Sequence, residues 1–157
     1  MNTARQSNSQ NDIEIADGLQ RCKGDNAHRK ANDQKRFLIV DDSIEVRFSI
    51  RRMLRSAGAT HVDVAENGEA ALQMMTQMAR KQSSYDVIIL DYMMPTMSGI
   101  ETLYEIKRRN IKNSDQTRKI MLTGFYDQDV VREAKSVGAA FVLCKPCDAA
   151  SLTAAIS

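Results

Sequence analysis

The sequence predicts an α/β fold, a doubly wound parallel sheet of five strands with five helices. Three observations lead there: short continuous apolar runs bounded by turn residues, segments of helical periodicity between them, and strict alternation of the two. Apolar runs of this length suit strands covered on both faces, as in parallel sheets. Strict alternation of strand and helix calls for right-handed crossovers, which put helices on both sides.

The elements follow in order. Phe37-Leu-Ile-Val40 is the first strand. After it, Val46, Ile50, Met53 and Leu54 recur at helical spacing, with Ser43 as N-cap and Gly58 as a stop. His61-Val-Asp-Val-Ala65 alternates apolar and polar residues, an edge-strand pattern. Ala71, Met74, Met75 and Met78 follow Asn67-Gly68 as one face of a second helix, a methionine stripe that reads as core filler rather than a cofactor site. Asp86-Val-Ile-Ile-Leu90 is the third strand, and Ile100, Leu103, Tyr104 and Ile106 form the helix after Ser98-Gly99. Lys119-Ile-Met-Leu122 precedes a helix carrying Val130, Ala134 and Val137. Ala140-Phe-Val-Leu-Cys144 precedes a last helix with Leu152, Ala155 and Ile156.

Residues 1–36 differ. They are rich in Asn, Gln, Ser, Asp and Lys, with sparse large aliphatic side chains (Ile13, Ile15, Leu19), too few to offset the entropy of ordering. The segment reads as a mostly disordered tail, with a weak amphipathic helix conceivable over Asp12 to Lys23. It carries seven Lys and Arg against five Asp and Glu; residues 37–157 carry 15 of each and are neutral. A neutral domain does not read as a general nucleic-acid or membrane-surface binder. No apolar run approaches the roughly 18 residues of a membrane span, and no secretory signal is visible. Three cysteines (Cys22, Cys144, Cys147) are too few for a disulfide framework, so the cytoplasm is the expected compartment.

In such a sheet, functional residues gather beyond the C-terminal strand ends. There the runs close on Asp41-Asp42, on Asp91, on Thr123-Gly124 and on Lys145-Pro146. Three carboxylates together repel unless a cation joins them, and Mg²⁺ is the natural partner of such oxygen ligands. An aspartate beside Mg²⁺ can accept a phosphoryl group as an acyl phosphate. Thr123 can donate to a phosphoryl oxygen and Lys145 can neutralise another.

The blocks Phe37-Leu-Ile-Val-Asp-Asp-Ser43, Asp91-Tyr-Met-Met-Pro95-Thr-Met-Ser-Gly99, Leu122-Thr-Gly124 and Gly138-Ala-Ala-Phe-Val-Leu-Cys-Lys-Pro146 resemble the signature blocks of bacterial two-component response-regulator receiver domains, of the single-domain chemotaxis type. The resemblance covers about residues 36–157, every block in order. It implies a flavodoxin-like sheet of order 2-1-3-4-5. It implies Asp91 as phosphoacceptor, Asp42 and Asp41 as Mg²⁺ ligands with the Met93 backbone carbonyl, Thr123 as switch hydroxyl, Lys145 as partner of the phosphoryl group, and a cis Lys145-Pro146 bond. It also implies a sensor histidine kinase or histidine phosphotransfer protein as donor. The domain would be no enzyme in its own right, though it would assist its own phosphorylation and dephosphorylation. With only 11 residues after Pro146, the expected output is phosphorylation-dependent protein contact or onward relay, as monomer or dimer, without DNA binding.

Some positions depart from the family pattern. Receivers usually carry Tyr or Phe three residues before the lysine; Val142 stands there, and Phe141 lies one residue earlier, on the opposite strand face. Met93 and Phe125, which flank the phosphoryl site, are apolar and cannot orient a water, so self-dephosphorylation is expected not to be fast. Cys144-Lys-Pro-Cys147 overlaps the Lys-Pro signature and reads as structural, with Cys144 in the core, rather than as a redox or zinc motif. Arg47, Arg51 and Arg55 line a helical face that is either simply solvated or, by the resemblance, a docking face for the phosphodonor. Lys107, Arg108 and Arg109 end a helix, where cations suit the dipole. The main alternative, a Mg²⁺-dependent aspartyl phosphatase-like enzyme, needs an Asp-x-Asp loop after the first strand, and here the carboxylates are adjacent.

Overall fold

The computed structural model describes residues 29–125 and 127–157. Its elements are β1 (Arg36–Val40), α1 (Ile44–Ser56), β2 (His61–Ala65), α2 (Gly68–Arg80), β3 (Val87–Asp91), α3 (Gly99–Arg108), β4 (Arg118–Thr123), α4 (Gln128–Ser136), β5 (Phe141–Cys144) and α5 (Ala149–Ile156). The strands form one parallel sheet in the order β2-β1-β3-β4-β5. This is the expected doubly wound topology.

Alternation along the central strands divides the core. Leu38, Val40, Ile88, Leu90 and Met121 pack toward α2, α3 and α4, with Leu72, Met75, Leu103 and Ile106. Phe37, Ile39, Ile89, Ile120 and Leu122 pack toward α1 and α5, with Ile50, Leu54, Leu152 and Ile156. The methionine stripe is core filler: Met75 is buried, and Met74 and Met78 pack beside it. Each of α1 to α5 starts at the same sheet edge on a side-chain cap: Ser43, Asn67, Ser98, Asp127 and Asp148. Ser98 and Glu101 form a reciprocal capping box. The Lys145-Pro146 bond is cis.

Three expectations need correction. Residues 29–33 are helical and Arg36 already belongs to β1, so the expected tail boundary at Arg36 lies inside ordered structure. Long-range hydrogen bonds hold this stretch. Asn32, 3% exposed, donates from its side-chain amide to the Ala57 carbonyl. Lys35 donates to the Ile156 carbonyl, and the Arg36 amide donates to Asp86. The helix conceived over Asp12 to Lys23 lies outside the described residues. Second, β5 is only partly covered: Val142 and Leu143 pack on opposite core faces, but Phe141 is exposed, with the Arg118 guanidinium 5.8 Å from its ring centroid. Third, Cys144 is exposed rather than core, because it ends this edge strand.

Candidate functional site

The strand order brings the expected residues to one sheet edge. Asp41 follows β1, Asp91 ends the neighbouring β3, Thr123 ends β4, and Lys145 follows β5. Asp41 and Asp91 are buried (1% and 5% exposed), whereas Asp42 is exposed. One carboxylate oxygen from each of Asp41, Asp42 and Asp91 lies within 4.8 Å of the others. The Lys145 ammonium bridges two of them, 2.6 Å from Asp41 Oδ2 and 2.9 Å from Asp91 Oδ1.

The backbone shapes this cluster further. The Ser43 amide donates to Asp41 Oδ1 at 2.9 Å, and the Met93 amide donates more weakly to Asp91 Oδ1 at 3.4 Å. Arg47 plays a part its helical spacing did not disclose. Its guanidinium donates to the backbone carbonyls of Asp41 (2.6 Å) and Asp42 (3.1 Å), bracing the acidic loop from α1. Only proximity in three dimensions reveals that role. The Thr123 hydroxyl turns to its own loop: it donates to the Phe125 carbonyl at 2.9 Å and accepts from the Phe125 amide at 3.1 Å. A second unforeseen contact ties the loop after β3 to α4, where the Tyr92 hydroxyl donates to Glu133 at 3.0 Å.

Charge sets the chemistry. Burial pushes the Asp91 carboxyl above its ordinary value, more than the hydrogen bond from Lys145 and its charge pull it down. Burial alone would lower the Lys145 ammonium; hydrogen bonds to Asp41 and Asp91 outweigh it, so Lys145 stays charged at neutral pH. Three carboxylates against one ammonium leave two negative charges unmatched. That deficit and an all-oxygen donor set fit a hard divalent cation such as Mg²⁺.

Arg108 and Arg109 pair with Glu105, holding its carboxyl down at about 2, and Arg109 also reaches Glu69. Cys144 and Cys147 are free thiols. Val142 packs toward the α2–α4 side, at the position where receivers usually carry an aromatic. Met93 and Phe125 are both exposed at the site's margin.

The response regulator receiver domain family matches residues 37–157. The chain belongs to this family. The receiver is similar to the chemotaxis protein CheY of Bacillus subtilis, 35% identical over 122 residues, which span 78% of this chain and 94% of that protein. Among solved structures it is similar to the Vibrio cholerae chemotaxis protein CheY4, with 32% identity, a TM-score of 0.64 and coverage of 75% of this chain and 92% of that one. It is also similar to a chain of the CheX–CheY–BeF₃⁻–Mg²⁺ complex of Borrelia burgdorferi, with 27% identity, a TM-score of 0.69 and coverage of 78% and 86%. The receiver is thus a two-component signalling domain. No helix among its described residues is long and apolar enough to cross a membrane.

Proposed function

We propose that this receiver accepts a phosphoryl group on Asp91, in a Mg²⁺-dependent reaction, from a phosphohistidine on a sensor kinase or phosphotransfer protein. It then signals by phosphorylation-dependent protein contact. One observation carries the reading: a buried carboxylate at a strand end, contacted by an ammonium at 2.9 Å and flanked by two further carboxylates. Asp41, Asp42, Asp91 and the Met93 carbonyl would hold the metal, which supplies positive charge for the phosphoryl oxygens. Lys145 sits where it can neutralise a phosphoryl oxygen on Asp91 and hold the carboxylate in line for attack. Thr123 exchanges its present bonds to Phe125 for a bond to the phosphoryl group, which draws the loop before α4 toward Asp91. The exposed Met93 and Phe125 side chains offer no group to orient an attacking water, so the acyl phosphate outlasts a few seconds.

The test is incubation with acetyl phosphate or phosphoramidate and Mg²⁺, with intact mass read for wild type and Asp91→Asn. Wild type gains the mass of one phosphoryl group and the variant does not. An adduct of equal yield on both, or none on wild type with either donor, overturns the assignment. Decay of the wild-type adduct within seconds refutes the slow hydrolysis.

A further inference from the structure

Three successive carbonyls of the acidic loop accept from one residue of α1. The Arg47 amide donates to the Ser43 carbonyl at 3.1 Å, as the first turn of a helix requires. Its guanidinium reaches back beyond that bond. One nitrogen donates to the Asp41 carbonyl at 2.6 Å and to the Asp42 carbonyl at 3.1 Å. A helical side chain leans toward the N-terminus of its own helix, so a residue inside α1 can serve the loop that precedes it.

The three carboxylates of the cluster are not held alike. Asp41 accepts from the Ser43 amide and from Lys145. Asp91 accepts from the Met93 amide and pairs with Lys145. Both are buried. Asp42 is exposed, and among the described residues nothing donates to its carboxylate. Its place beside Asp41 and Asp91 therefore depends on its backbone, and Arg47 is what holds the carbonyl of that backbone. With both carbonyls turned to the guanidinium, what Asp41 and Asp42 offer a cation is their carboxylates.

Charge and position act in opposite directions here. A guanidinium beside the cluster repels a divalent cation. Groups that fix the ligands from behind favour it, because the ligands are already ordered when the ion arrives. We propose that Arg47 is a positioning residue for the divalent cation. It holds the Asp41–Asp42 backbone so that the exposed Asp42 carboxylate stays with the other two, and this outweighs the repulsion of its own charge. The proposal rests on the acidic cluster taking Mg²⁺; it does not depend on Asp91 accepting a phosphoryl group.

The test is calorimetric titration of the full chain with Mg²⁺ and no phosphodonor, so that affinity is read on folded protein apart from phosphorylation. Arg47→Met should weaken Mg²⁺ binding by about tenfold, although it removes a positive charge. Arg51→Met, the same loss of charge one turn further along α1, should bind as wild type does. Unchanged or tighter binding by Arg47→Met overturns the proposal, because repulsion is then the larger effect. Equal weakening by Arg51→Met overturns it too, because the effect then belongs to the helix and not to the two carbonyls. If Arg47→Met shows no urea transition, Arg47→Lys carries the test: its ammonium stops one bond short of the guanidinium nitrogen, and wild-type affinity in that variant overturns the proposal. A wild type that takes no Mg²⁺ overturns both this proposal and the metal in the proposed function, whereas a failed phosphorylation with intact Mg²⁺ binding strikes only the latter.

Discussion

Gly99 opens α3 against the back of β3. A Cβ placed on it would fall inside contact distance of the Asp91 carbonyl oxygen and 2.8 Å from Met121 Sδ. The thioether can swing away. The carbonyl cannot, because Asp91 is held in register with Leu122 of β4 and the Gly99 amide is itself tied to the Tyr92 carbonyl. Gly99→Ala therefore forces α3 away from the strand that carries Asp91. Overpacking of this kind costs about 1–3 kcal/mol. Replacing glycine within a helix returns at most about 1 kcal/mol, and less at the first helical residue. The net expectation is a loss of roughly 1–2 kcal/mol, and with m near 1–3 kcal/mol/M a fall of roughly 0.3–2 M in the urea midpoint at unchanged m. Gly124→Ala is the control: a Cβ there meets nothing within 4 Å, so its stability should stay within about 0.5 kcal/mol of wild type. Equal midpoints for the two variants would refute the reasoning. Full rescue of Gly99→Ala by Met121→Ala would refute it differently, by making the sulfur the obstacle rather than the backbone.

Tyr85 is 3% exposed and donates its hydroxyl to Asp63 at 2.8 Å; Tyr85→Phe should cost about 1 kcal/mol at neutral pH. Burial, and then the Asp63 hydrogen bond, hold the Tyr85 phenol well above its ordinary value of 10, so the folded chain keeps a proton that the unfolded chain releases. Its contribution is complete below pH 10 and is lost above it, so the gap between wild type and Tyr85→Phe should narrow as urea melts move past that pH; a constant gap contradicts the burial argument. Asn32→Ala should lower stability by about 1–2 kcal/mol by leaving the Ala57 carbonyl unpaired, and a melt matching wild type would show that residues 29–33 add nothing. Mg²⁺ at about 100 times its dissociation constant should stabilise wild type by about 2.7 kcal/mol, and Asp41→Asn should remove most of that gain in thermal melts with and without EDTA. A gain that survives the substitution places the cation elsewhere.

Where local chemistry decides structure, the sequence was readable. Each of α1 to α5 begins at a short polar side chain that satisfies its own first amides, as Ser43 and Ser98 do, and such caps are visible one residue at a time. The strand-closing residues Asp41, Asp91, Thr123 and Lys145 were readable because a parallel sheet delivers every strand end to one edge. Residues 29–35 were not, because their polar composition gives no hint that Asn32 and Lys35 find carbonyls at Ala57 and Ile156. The Ala140–Cys144 run misled for a related reason. Its apolar composition matches a strand buried on both faces, but Phe141 is exposed and meets a cation from β4 rather than a layer of apolar side chains. Arg47 shared a helical face with two other arginines, and nothing in that spacing marked it as the one turned to the acidic loop.

The bridge from Lys145 to Asp41 joins residues 104 positions apart. During synthesis Asp41, Asp42 and Asp91 all leave the ribosome long before Lys145 does. A chain broken or stalled ahead of β5 exposes the acidic residues without the ammonium that joins two of them. The strand that leads to Lys145 is thus made after the acidic residues, and it brings the ammonium to a cluster of carboxylates already synthesised.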